Sequence, residues 1–363
     1  MIVAAIKEDI NLEKRISITP ETAKNLISIG LGINLEKNYA IHLGIEDKEY
    51  ENYGVKFFSN SSEVINNSDL ILKVNCPNDE VLKSLKEKQI IIGMFNPTKN
   101  IDIIKKILQR KINIFSLELL PRISRAQSMD VLSSQSNLAG YRAVIDSIYE
   151  FEKALPMMMT AAGTISAAKV LVIGAGVAGL QAIATAKRLG AIVSATDVRV
   201  ASKEQVESLG GKFLMVEQEE NLETTSGYAK ETSEEFKKKQ ADLLKDALKK
   251  NDIVICTALI PGKLAPRIIN EELVKLMKSG SIIYDLASEQ GGNSAYSEPG
   301  KINVVNGVKV IGPKSLMNKL PLTASNLYAK NLFSFVRNLY SKEKKNFDIN
   351  LEDEIISKTL IKE

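Results

Sequence analysis

Three glycines and one acid stand where a dinucleotide could be held. Gly174, Gly176 and Gly179 form a GxGxxG, and Asp197 lies eighteen residues beyond the last of them. Alone that pattern is weak. Here an apolar run from Val170 to Ile173 leads into it, and a stretch with small residues at Ala182, Ala184 and Ala186 leads out. Strand, tight turn and helix form the context that gives the pattern meaning. The first glycine permits the turn, the second lets the backbone approach a pyrophosphate, and the third lets helix and strand pack closely. The helix N-terminus offers free N–H groups and the positive end of its dipole to the phosphates. Asp197, at the end of the next strand, can accept both hydroxyls of an adenosine ribose. A 2′-phosphate there would meet a carboxylate, so the expected ligand is NAD(H) rather than NADP(H). Arg199, two residues on, could instead serve a 2′-phosphate or stack on adenine. The competing reading is that these glycines only shape a βα turn; the full context favours binding.

The elements that must position this site alternate along the chain. At 363 residues the chain suits two domains rather than one core. In the first third, IVAAIK, DLILKV, IIIGMF and INIFSLEL read as strands, and TPETAKNLISIG and KNIDIIKKILQRK as helices. Thr19 is the expected N-cap of the first helix, Pro20 its first-turn residue and Gly30 its stop. Near-continuous apolar strands between helices predict a parallel sheet buried on both faces. A loop, LLPRISRAQSMDVLSSQSN, precedes a connector helix expected over about Asn137 to Ala154. Leu138, Tyr141, Val144, Ile145, Ile148 and Phe151 would share its apolar face. A second α/β block starts at Lys169. Its strands are the run before Gly174, the one ending at Asp197, GGKFLMV, DIVICTAL, SIIYDLA and VKVIG, and a charged helix ends at Lys250. From Met317 a helical stretch should return the chain to the first domain, and the charged tail after Lys342 adds one helix. The expected fold is α/β: two Rossmann-like domains, each a mostly parallel sheet flanked by helices, joined by long helices. Residues 1–135 with 320–363 form the first, residues 136–319 form the second, and the dinucleotide lies in the cleft.

Composition narrows the function classes. The formal net charge is +4, with basic and acidic residues interspersed, so there is no nucleic-acid footprint. The two cysteines, Cys76 and Cys256, lie in or beside apolar runs. They read as reduced thiols, too few for a structural zinc site, and no metal is expected. The N-terminus, charged from Lys7, is not a signal peptide. Val170 to Ala186 is free of charge but short of a membrane span and broken by three glycines, so any membrane role must come through a partner.

Several stretches together resemble the alanine dehydrogenase and transhydrogenase α-subunit superfamily over nearly the whole length. They are EKRISITPE, LILKVNCP, GAGVAGLQA, IPGKLAPRIINEELVKLMKSGSIIYDLASEQGGN and LPLTASNLYAKN. Two others select the transhydrogenase branch. The run from Arg122 through Gln127 and Asp130 to Ser133 looks like the Arg-Gln-Asp loop of its NAD-binding subunits. Ser226-Gly227-Tyr228-Ala229 is similar to their mobile loop. The resemblance implies that Arg122 and Asp130 hold the nicotinamide carboxamide with support from Ser133, that Gln127 reaches toward a second nucleotide, and that Tyr228 belongs to the catalytic set. It adds Val177, Val198, Gly227, Gln240 and Leu259 to the cofactor-binding residues. A carboxamide offers one acceptor and two donors, so an Arg and an Asp can satisfy both ends. The competing reading of the loop is a polar surface segment with an internal Arg–Asp pair.

Oxidising an amino acid requires a general acid/base near the reacting carbon. The lone histidine, His42, lies in a loop-like stretch and reads as a surface residue. Asn96 appears at the place where alanine dehydrogenases carry their histidine. Arg15 and Lys73 match the pyruvate-contacting residues of those enzymes, which keeps an NAD-dependent alanine dehydrogenase as the alternative. Transfer between two nicotinamides needs positioning and exclusion of water, not acid/base chemistry. With one GxGxxG, NADP(H) should sit on a partner subunit. The resemblance implies a soluble homodimeric subunit on the cytoplasmic face of the inner membrane, docking membrane-embedded subunits that include an NADP(H)-binding β subunit. A non-catalytic NAD-sensing module is a third reading.

Overall fold

The computed structural model describes residues 1–216, 234–260 and 263–362, with the side chains of 234–237 left out. The chain divides into two compact units: Met1–Gln135 with Met317–Glu363, and Ser136–Leu316.

In the first unit six strands form one parallel sheet: β1 (Ile2–Ala5), β2 (Gly32–Glu36), β3 (Lys56–Phe58), β4 (Leu70–Leu72), β5 (Ile90–Gly93) and β6 (Asn113–Ser116). Their order is β3-β2-β1-β4-β5-β6. The period of two decides which core each side chain joins. Val3, Ala5, Leu70, Leu72, Ile90 and Ile92 pack on one face, while Ala4, Ile71 and Ile91 pack on the other. That is why these strands read as unbroken apolar runs. The helix Pro20–Ser28 starts at Thr19, whose side chain exchanges hydrogen bonds with Thr22 in a capping box. Gly30, at φ +97°, stops it. The return helix, Pro321–Leu339, closes one face with Tyr328, Leu332, Phe335 and Val336. A small pairing of β16 (Tyr340–Ser341) with β17 (Asn346–Phe347) and the helix Glu354–Thr359 complete the unit.

The second unit carries an antiparallel hairpin, β7 (Met158–Thr160) with β8 (Gly163–Ile165), and a seven-stranded sheet. The sheet holds β9 (Lys169–Ile173), β10 (Ile192–Thr196), β11 (Lys212–Phe213), β12 (Ile253–Cys256), β13 (Ile282–Asp285), β14 (Lys301–Val305) and β15 (Val308–Gly312). The order is β11-β10-β9-β12-β13-β15-β14, parallel except for β14. The charge-free stretch from Val170 to Ala186 resolves into β9, a turn and the helix Val177–Arg188. No helix among the described residues is long and apolar enough to cross a membrane.

The connector helix departs from the sequence expectation. It runs from Val131 to Glu150, beginning six residues earlier because Asp130 takes the backbone N–H of Ser133 and starts it. Its buried side is small and polar rather than apolar: Gly140, Ala143, Asp146 and Ser147 are buried, while Tyr141 is exposed. A Cβ on Gly140 would lie 2.0 Å from the Ala178 carbonyl oxygen. Asp146 accepts from Arg142 Nε at 2.7 Å and from the Tyr284 hydroxyl at 2.8 Å. Close approach of backbones, not an apolar stripe, sets this packing.

Candidate functional site

Both large sheets reverse direction of winding beside their first strand, β1 or β9, and the carboxyl ends there are where α/β proteins hold ligands. In the second unit the glycine turn follows β9, Asp197 follows β10, and Thr257 to Leu259 follow β12.

The three glycines are there for three different reasons. Gly174 sits at φ +95°, and a Cβ on it would lie 2.7 Å from Thr257 Oγ1. A Cβ on Gly179 would lie 1.9 Å from the Gly174 carbonyl oxygen, so helix and strand could not close. Gly176 is different. Its φ of −77° suits any residue, and nothing lies within 4 Å of where its Cβ would be. No internal contact requires glycine there; the open space fits a group arriving from outside, which is what a pyrophosphate needs. The helix it opens has no side-chain cap, so its first N–H groups stay available to an anion.

Asp197 is tied into the same turn. Its Oδ2 accepts the backbone N–H of Ala175 at 2.6 Å, and its Oδ1 accepts the backbone N–H of Arg199 at 2.8 Å. The Arg199 guanidinium adds Nε to Oδ1 at 3.0 Å and an N–H to Oδ2 at 3.1 Å. Burial alone would raise this carboxyl; the bonds from Arg199 and Ala175 outweigh it and hold it below the usual range. The acid is therefore ionised, as a ribose-binding carboxylate must be, and Arg199 occupies lone pairs that ribose hydroxyls would use. Val177, Val198 and Leu259 are 42%, 51% and 43% exposed at the ends of three adjacent strands. Gln240 lies half-buried in the helix Glu234–Lys250, with no hydrogen bond to the turn among the described residues. Gly227 and Tyr228 lie outside the described residues.

Two positioning residues escaped the sequence reading. Thr257 donates its hydroxyl to the carbonyls of Gly174 at 2.9 Å and Ile173 at 3.2 Å, fixing the turn from β12. Asn293, wholly buried, accepts from Ala258 N at 3.0 Å and donates to the carbonyls of Ala258 and Pro266 at 2.8 and 2.9 Å. It thereby holds the segment carrying Leu259. The available signal was a lone polar residue just after a buried strand, in each case.

In the first unit Arg122 and Gln127 are exposed, and Asp130 and Ser133 are half-buried. Asp130 binds Ser133 twice, by the backbone N–H at 2.9 Å and by the hydroxyl at 2.6 Å. The structure thus joins Asp130 to Ser133. It does not form the internal Arg122–Asp130 pair of the competing reading.

The carboxyl ends of β1, β4 and β6 gather a second set of charges. The Arg15 guanidinium meets Glu13 at 2.9 and 2.7 Å and Gln135 at 3.0 Å. Lys73 meets Glu8 at 2.9 Å. Asn96, at φ +45°, donates its backbone N–H to Glu118. Glu118 was missed from sequence: burial raises its carboxyl, against lowering hydrogen bonds from Ser116 and nearby backbone, and its Oε2 is buried without a partner. His42 is exposed and shares a hydrogen bond with the Lys14 carbonyl. Both cysteines are free thiols. Burial first, and Glu118 second, push Cys76 up to about 12 against a lowering by Lys73. Only the thiolate reacts, so iodoacetamide labelling of Cys76 should still climb about tenfold per pH unit between pH 8 and pH 10. A plateau below pH 9.5 in peptide-mapped rates would contradict that environment.

Comparison with known proteins follows the same division. Residues 4–139 match the family model "Alanine dehydrogenase/PNT, N-terminal domain", and residues 143–363 match the C-terminal domain of the same family. In Rhodospirillum rubrum the NAD(P) transhydrogenase subunit alpha is divided, and its first polypeptide is 49% identical, over 99% of this chain and 96% of that protein. The crystal structure of a transhydrogenase from Sinorhizobium meliloti superposes with a TM-score of 0.90 at 44% identity, covering 99% of this chain and 98% of that one. An alanine dehydrogenase of Methanococcus maripaludis is more distant, at 27% identity over 81% of this chain and 74% of its own length. With two domain models spanning the chain and near-half identity to a transhydrogenase subunit, the chain belongs to the alanine dehydrogenase/PNT family, on its NAD(P) transhydrogenase subunit alpha branch.

Proposed function

We propose that the chain binds NAD(H) on the glycine turn of its second unit and presents the nicotinamide for direct hydride transfer to NADP(H) held by a partner subunit. The observation that carries this is Gly176, a glycine that nothing inside the protein requires. Asp197 would take the ribose hydroxyls as the Arg199 side chain yields its lone pairs, and Val177, Val198 and Leu259 would be covered by the ligand. Arg122, Asp130 and Ser133 would hold the carboxamide, with Gln127 toward the second nucleotide and Tyr228 closing over the site. When bound, the dinucleotide supplies the hydride. The protein's role is to bind, orient and exclude water. Proton coupling belongs to membrane-embedded partners, among them the NADP(H)-binding β subunit. In this reading the chain is a homodimer seated on the cytoplasmic face of the inner membrane.

One observation favours a second reading, an NAD-dependent alanine dehydrogenase. Glu118 is a buried carboxyl with an unpartnered oxygen, the kind of group that can move a proton. Against it, Arg15 and Lys73 are already paired with Glu13 and Glu8. The two readings separate in one assay. NADH and an acetylpyridine analogue of NAD are mixed with this chain and an NADP(H)-loaded β-subunit domain, with L-alanine and NAD in parallel. Hydride exchange should require both proteins, and alanine should not turn over. Alanine turnover by this chain alone would overturn the transhydrogenase reading.

A further inference from the structure

The stretch LPLTASNLYAKN becomes the first half of the return helix, and its polar residues face inward. Ser325, Tyr328 and Asn331 are spaced three apart and all are buried. Each holds a different loop at the carboxyl edge of the first sheet. Ser325 Oγ accepts the backbone N–H of Ile16 at 3.0 Å. The Tyr328 hydroxyl donates to the Lys73 carbonyl at 2.7 Å. Asn331 Nδ2 donates to the Ser128 carbonyl at 2.9 Å, and its Oδ1 accepts the Ser134 hydroxyl at 2.7 Å.

Ser128 and Ser134 flank the short segment that carries Asp130 and Ser133. One side-chain amide, 8% exposed, therefore spans both ends of that segment. Neither end can shift without breaking a buried hydrogen bond. At its outer rim the same loop is tied by Arg125 to Asp353, but Arg125 is exposed and its pair is screened. Asn331 is the buried anchor.

We propose that Asn331 is a positioning residue for hydride transfer: it fixes the Asp130–Ser133 turn so that the nicotinamide ring is held in register. This rests on the function proposed above. It touches neither ligand nor reacting atoms. Loosening it misorients the ring without removing the contacts on the second unit that would hold the rest of the dinucleotide.

The test compares Asn331→Ala with Ser325→Ala, which cuts a buried hydrogen bond on the same helix but releases a different loop. Turnover in the two-protein hydride assay should fall at least ~10-fold in Asn331→Ala, since a misplacement near 1 Å costs on the order of 10²-fold. The KM for NADH should stay within about 3-fold, the pattern of a lost positioning contact rather than lost binding. Ser325→Ala, matched by thermal unfolding, should keep turnover within about 2-fold. Adding Ser134→Ala to Asn331→Ala should cost little more, because the two groups share one bond. Amide hydrogen exchange over residues 128–134 should quicken in Asn331→Ala and not in Ser325→Ala. Equal turnover losses in both variants, or unchanged exchange over 128–134, would overturn the assignment. If the unsubstituted chain transfers no hydride, the function proposed above falls, and amide exchange still decides whether Asn331 anchors the segment.

Discussion

Replacing Gly176 with alanine should leave the fold standing and remove most of the affinity for NADH. The backbone at Gly176 has φ −77°, and no atom lies within 4 Å of the new methyl group. The cost to stability is then only the preference of a helix N-cap for glycine over alanine, below about 1 kcal/mol. The methyl group would project into the space that a pyrophosphate needs, and Kd for NADH should rise at least ~10-fold, about 1.4 kcal/mol. Gly179→Ala supplies the contrast. Its Cβ would lie 1.9 Å from the Gly174 carbonyl oxygen, so the turn itself must open. Overpacking of this kind costs about 1–3 kcal/mol, and that variant should lose stability and binding together. Calorimetric titration with NADH beside thermal unfolding separates the two. A Gly176→Ala protein that binds NADH as tightly as its parent would show that the glycine turn is not the nucleotide site.

Lys73→Met should destabilise the protein by about 3–5 kcal/mol, the usual result of leaving one member of a buried ion pair without its partner. Lys73 Nζ lies 2.9 Å from Glu8 Oε2, and the two side chains are 5% and 9% exposed. Glu8 also accepts the backbone N–H of Val74 at 2.8 Å, so its carboxylate cannot turn to solvent without a second loss. In a unit of this size each kcal/mol is worth roughly 2–4 °C in Tm. Adding Glu8→Gln to Lys73→Met should recover most of the loss, because the amide keeps an acceptor for Val74 and no charge is left buried. The check is a thermal double-mutant cycle. A Lys73→Met protein with unchanged Tm and altered handling of alanine would make Lys73 a substrate ligand and favour the dehydrogenase reading. The expected result explains how a cation can match a substrate-binding position in a distant relative and still serve structure here.

Much of the fold was legible because it rests on local chemistry. Thr19, Pro20 and Gly30 set the ends of one helix through capping and chain geometry, and they act there as expected. Continuous apolar runs gave the central strands because a sheet buried on both faces has no polar side. Other elements were missed. β14 hides beside β15 in the turn Asn306-Gly307, whose two positive φ values suit a tight hairpin and were the available signal. The connector helix misled because its packing uses Gly140 and Ala143, so hydrophobic spacing pointed to Tyr141, which faces solvent.

The sequence by itself determined the glycine turn, the acid at the next strand end, the alternation of strand and helix and the branch of the family. These are carried by residues close together in the chain, where spacing alone fixes geometry. Only the tertiary structure decided that Gly176 has open space where Gly174 and Gly179 have neighbours, and that Arg199 bonds to Asp197. It alone joined Asn331 to Ser128 and Ser134 across about two hundred residues of chain, and left Glu118 buried with a bare oxygen. Those facts depend on which loops the sheet brings to one edge. No local pattern encodes that, because a side chain's partners across the fold are fixed by strand order and helix packing rather than by its neighbours in sequence.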